Sequence, residues 1–200
     1  MQFYTLLAIA TFCGVSVANF NVHLYKEPSC IGPIKASTGH TCTGIAAGVC
    51  CARRSGDPKK GTPAPWAKFR SANFDEGGSK KTTDRIKLYD STGGEACGLD
   101  FANSNKCASG SKEGTGAKVV IEVPTGGGSG RSHKLKRFIK FLTREAKGVV
   151  VEPDQYFYEN GTMKWTLDIK SVKGQHYNKL ASEEEQIKYI EANGVMAPML

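Results

Sequence analysis

Cysteines constrain this chain more than any other feature. The 200-residue sequence holds seven: Cys13, Cys30, Cys42, Cys50, Cys51, Cys97 and Cys107. The first lies in an opening segment built like a secretory leader. Leu6 to Ala18 is apolar and uncharged, and Ser16-Val17-Ala18 offers small residues at both positions that signal peptidase reads. The run is shorter than the roughly 20 residues of a spanning helix. Residues 1–18 are therefore read as a signal peptide, and the mature protein as secreted. Cleavage removes Cys13 and leaves an even number of cysteines in an oxidising compartment, which suits three disulfides. The His and Cys spacings match no zinc pattern, so neither a metal nor a cofactor is expected. Adjacent Cys50 and Cys51 point to opposite faces of a strand and need different partners. A Cys97–Cys107 bridge is expected. It would leave Cys30 and Cys42 for Cys50 and Cys51, in either order.

The cysteines follow a stretch that occurs twice. Val22-His23-Leu24-Tyr25 precedes Cys30, Gly32 and Cys42, and Ile86-Lys87-Leu88-Tyr89 precedes Cys97, Gly98 and Cys107. Each copy is a short alternating run, then a turn, a Cys with a Gly nearby, and a second Cys. Around them, 20–25 alternates as a half-buried strand, 44–52 reads as one buried strand, 66–74 as a strand resuming the sheet, and 117–123 as another. Tyr25-x4-Cys30-x-Gly32, with Ser71-Ala72 between Phe69 and Phe74, resembles the β/γ-crystallin-type Greek-key signature. Small secreted fungal proteins with two cysteine-stapled copies of that unit are similar to residues 20–124. The resemblance implies two Greek-key units. The family's calcium pattern has no match here, so no metal ligands carry over.

Thr125-Gly126-Gly127-Gly128-Ser129-Gly130 reads as a flexible linker. Gly130 is followed by Arg131-Ser132 without the lysine of a phosphate loop. A helix is expected over 135–146, stopped by Gly148. Its stripe of Leu135, Phe138, Ile139, Leu142 and Ala146 faces away from Lys136, Arg137, Lys140, Arg144 and Lys147. Asn160-Gly161 between two β-prone runs predicts a hairpin with a type I′ turn, and Asn160-Gly161-Thr162 is an N-glycosylation sequon. Ser182 and Glu185 form a capping box for a last helix ending near Asn193. The expected fold is α+β and mainly β. A duplicated, disulfide-stapled antiparallel β-unit (19–124) is followed by the linker (125–130) and by a basic helix, a β-hairpin and a C-terminal helix (131–200). The two parts either stand apart or share one sheet, since Val149-Val150-Val151 and the hairpin need partners.

No esterase elbow, zinc-protease helix or papain-type cysteine context occurs. A net charge of +8 suits an anionic partner. The sequence therefore points to a small, basic, cysteine-rich secreted monomer acting by binding, of effector or toxin-like character. The basic helix face is its candidate contact with an anionic surface, membrane or nucleic acid, or with a host protein. The competing reading is a secreted basic ribonuclease or other small hydrolase. His133 and His176 with Glu152 would then trade protons with a 2′-hydroxyl and the leaving oxygen.

Overall fold

The computed structural model describes residues 19–30, 37–55, 64–76, 84–121 and 148–199. The expected leader with Cys13, the Gly-rich 125–130, His133 and the expected basic helix with Lys136, Arg137, Lys140, Arg144 and Lys147 lie outside the described residues. The chain is mainly β, with few helices and three disulfides.

The strands are β1 Asn19–Tyr25, β2 Ser37–Ala46, β3 Cys50–Ala52, β4 Phe69–Glu76, β5 Asp84–Thr92, β6 Glu95–Ser104, β7 Cys107–Gly114, β8 Gly116–Ile121, β9 Val150–Val151, β10 Gln155–Glu159, β11 Met163–Asp168 and β12 Val195–Pro198. They form a seven-stranded sheet, β12-β11-β10-β2-β1-β4-β7, and a five-stranded sheet, β6-β5-β8-β3-β9. Two helices complete the described residues, α1 Val172–Tyr177 and α2 Glu183–Asn193.

Alternation along β1 explains the core. Phe20, Val22 and Leu24 point one way and pack with Phe69, Ala72, Phe74, Ile86, Leu88 and Val119 between the sheets. Burying each large side chain contributes roughly 1.5–3 kcal/mol. Further along the larger sheet, the face carrying Tyr156, Tyr158, Trp165 and Leu167 packs instead on Tyr177 of α1 and Ile190 of α2. Ser182 accepts from the Glu185 backbone while the Glu185 side chain returns to the Ser182 N–H, so α2 starts on a full capping box.

Three sequence expectations change, and one alternative left open is decided. Residues 44–52 are not one strand. Gly48, at φ 85°, turns the chain after β2, a conformation that glycine adopts without steric cost. The turn sends β3 into the other sheet, where it pairs with β8. Cys97 does not pair with Cys107. The bridges are Cys30–Cys107, Cys42–Cys51 and Cys50–Cys97. The cause is topological: β3 lies in the sheet of β6, and β7 lies beside β4 in the sheet of β1. Cys50 thereby meets Cys97, and Cys107 meets Cys30. Adjacent Cys50 and Cys51 do take different partners on opposite faces of β3.

The turn at Asn160-Gly161 is not type I′, because no residue other than glycine has positive φ among the described residues. The Asn160 side-chain oxygen instead accepts from the backbone N–H of Thr162 (3.2 Å) and Met163 (3.0 Å) and from the Thr162 hydroxyl (3.1 Å). This side-chain turn replaces the left-handed backbone that asparagine would otherwise supply. Finally, the stretch after the Gly-rich segment has no sheet of its own. β10 pairs with β2 in the larger sheet, and β9 pairs parallel with β3 in the smaller one.

Candidate ligand-binding cleft

The inner face of the larger sheet thus has two coverings: the second sheet over β2, β1, β4 and β7, and the helices over β10 and β11. Where they meet, a cleft of about 600 Å³ opens, lined from one side by Arg53, Arg54 and Ala64 and from the other by Tyr156, Ile169, Gln175 and Asn178. That volume suits a ligand of nucleotide or disaccharide size.

The two arginines follow β3 directly, and extended backbone sends successive side chains to opposite faces. Arg54 and Trp66 pair as an isolated bridge, and the Ala67 N–H donates to the Arg53 carbonyl at 2.7 Å. Arg53 turns toward the larger sheet. Its Nη1 donates to His40 Nε2, and its Nη2 donates to the Tyr156 hydroxyl (3.2 Å) and to Asn178 Oδ1 (2.9 Å). Arg54 turns outward. Its guanidinium lies 3.9 Å from the Trp66 ring centroid, and its Nη1 donates to the Ala64 carbonyl at 2.6 Å. Among the described residues neither arginine makes an ion pair. Every acceptor they touch among the described residues is neutral.

The opposite wall depends on close approach. A Cβ on Gly174 would fall 2.8 Å from the Ile169 Cα, so only glycine lets α1 close on the end of β11. Ser171 caps the helix through the Gly174 N–H at 3.0 Å. Gln175 and Asn178 then project into the cleft. Asp154 pins the rim: its N–H donates to the Thr41 carbonyl (2.9 Å), and its carboxylate accepts from the Thr43 N–H (3.0 Å) and hydroxyl. Glu152 follows this rim to the cleft edge.

Behind Arg53 lies a smaller cavity of about 80 Å³, lined by His40, Arg53, Tyr156 and Asn178 together with Lys26 and Thr38. His40 is 6% exposed and sits edge-on between Phe69 and Tyr156. Because Nε2 accepts from Arg53, the ring proton is on Nδ1, which is buried with no hydrogen-bond partner among the described residues. An orphaned buried donor costs about 1–3 kcal/mol. Burial first, and then the Arg53 and Lys26 charges, holds the His40 pKa well below the ordinary histidine value.

The catalytic set expected from sequence does not assemble among the described residues. Glu152 lines the cleft, but the His176 ring lies 4.9 Å from the Tyr189 ring and is not among the lining residues. His133 lies outside the described residues. On the outer face of the larger sheet, the Thr41 hydroxyl donates to His23 Nδ1 (2.8 Å) and His23 Nε2 donates to Asp75 (3.0 Å). This is the order of a hydroxyl–imidazole–carboxylate relay, but Thr41 is 1% exposed in mid-strand, so no substrate reaches its oxygen. Burial lowers the His23 pKa against the pull of Asp75, so the pair is a hydrogen bond rather than an ion pair at neutral pH.

Sequence reading missed His40, Arg53 and Arg54. The only local signal was two arginines following a buried cysteine pair. The partners of Arg53 are 13, 103 and 125 residues distant. No family model, curated protein or solved structure matches this chain.

Proposed function

We propose that this chain is a secreted, basic, cysteine-rich protein of effector or toxin-like character that acts by binding, and that its ligand carries an anionic group seated at the cleft. The observation that carries the reading is the convergence of Arg53 and Arg54 on one concave site without a carboxylate partner among the described residues. Three disulfides suit an oxidising compartment. The basic face of 135–146 would add long-range attraction for an anionic surface. Asn160 is the glycan acceptor in this reading, with its sequon exposed.

The scaffold in this reading is a duplicated, β/γ-crystallin-like pair of Greek keys. Strand order supports it. In β1–β4 and again in β5–β8, the second, first and fourth strands are neighbours in one sheet and the third lies in the other.

The hydrolase reading is weaker because no histidine accompanies Glu152 among the described residues that line the cleft. Titration with adenosine 5′-monophosphate and with uncharged adenosine tests the proposal. Only the former should bind, and Arg54→Gln should weaken it about ten-fold or more, the scale of one lost charge-assisted hydrogen bond. Equal binding of both overturns the anionic reading. Cleavage of RNA that is abolished by Glu152→Gln replaces binding by hydrolysis.

A further inference from the structure

We infer that the smaller cavity behind Arg53 is an oxyanion seat, taking a phosphate-like group of the ligand through Arg53 and Lys26. The inference rests on the cleft reading above and adds where the charge goes. Two independent features converge. The cavity, at about 80 Å³, admits a small tetrahedral anion but not a ring. Its walls bring together Lys26 and a guanidinium held only by neutral acceptors among the described residues, with His40 Nε2 locked as one of them. An anion that enters answers the charge of that guanidinium.

The arrangement divides the work. Arg53, Tyr156 and Asn178 line both spaces, so a ligand reaching inward keeps its bulk in the larger cleft. Two carboxylates bear on the seat at its Thr38 wall, Glu27, which accepts from the Thr38 backbone, and Glu183. Glu183, exposed at the start of α2, accepts from the Thr38 hydroxyl at 3.0 Å, and Thr38 lines the cavity. Its negative charge opposes an anion there, which gives the inference a test with two signs.

The experiment is nitrogen-detected NMR on the full mature chain at pH 7.5, titrated with inorganic phosphate and separately with adenosine 5′-monophosphate. The His40 ring and Arg53 side chain report the inner seat, and Arg54 and Gln175 report the outer cleft. Phosphate should shift His40 Nε2 and Arg53 saturably and leave Gln175 still, whereas the nucleotide should move both sets. Lys26→Gln should weaken phosphate about ten-fold, and Glu183→Gln should tighten it several-fold. If phosphate moves only Arg54 and Gln175, the inner seat is wrong and the cleft reading stands. If the nucleotide moves the outer set alone, the seat is wrong again. If neither probe moves either set, both readings fall together. Phosphate binding indifferent to both substitutions would reduce the site to unspecific attraction and overturn the seat.

Discussion

One sheet runs through this protein under two different covers. Over β2, β1, β4 and β7 the cover is a second sheet. All three disulfides lie in that region, and one of them, Cys50–Cys97, lies entirely within the second sheet. Over β10 and β11 the cover is a pair of short helices without any disulfide. The difference follows from where the long-range order comes from. β3 and β7 each cross to the opposite sheet, which loads the first region with contacts distant in sequence whose closure is entropically costly. Cross-links reduce that cost. The second region is a hairpin followed closely by its own helices, and local contacts suffice. The cleft lies at the seam, lined by Arg53 and Arg54 from one cover and by Gln175 and Asn178 from the other.

The largest effect should come from the cross-links. Cys30–Cys107 spans 77 residues and Cys42–Cys51 spans 9. In the chain-entropy account, removing the first by Cys30→Ala with Cys107→Ala should cost about 4.5 kcal/mol, and removing the second about 2 kcal/mol less. Denaturant unfolding of both double variants checks this. Equal losses would mean that the bridges act by native packing rather than by restraining the unfolded chain. Two separated transitions in either variant would break the picture of one continuous sheet.

Ile190 tests the helical cover. It is fully buried against the aromatic face of β10 and β11, and Ile190→Ala should destabilise by about 3 kcal/mol. Amide exchange should accelerate in β11 and β12 more than in β5 and β8. Uniform acceleration would show that the two covers unfold as one.

The smallest effect is that of pH, and it probes the seam. His40 has its folded pKa depressed by burial and by the charges of Arg53 and Lys26, and burial depresses that of His23 as well. In the unfolded chain both take up protons near the ordinary value of about 6.5. Their contribution is therefore present above that pH and is lost as pH falls from it toward the folded values. The loss is at most about 1.4 kcal/mol per pH unit for each group. Thermal denaturation between pH 7 and pH 5, above most carboxylate titrations, measures it. His40→Gln should flatten the profile. An unchanged slope would place the proton uptake elsewhere.

Some of this was legible along the chain because its physics is local. Ser182 and Glu185 cap α2 within one turn, β1 alternates at every second residue, and Cys50 and Cys51 diverge because neighbouring strand residues must. The rest depended on contacts that no window of sequence contains. Which cysteine Cys97 meets is decided by β3 crossing beside β8, a step made by the turn at Gly48. Residues 44–52 read as one strand because small apolar residues fit a buried strand and a tight turn equally well. Asn160 turned its loop with its side chain rather than its backbone. Most of all, Arg53 and His40 meet across two sheets, and Asn178 reaches them only because Gly174 lets α1 close on β11. Composition determined that the chain would be basic and rich enough in cysteine for three bridges. The tertiary fold alone decided where two of those positive charges would stand without an ion-pair partner among the described residues, because a side chain's electrostatic partners are set by distance in space.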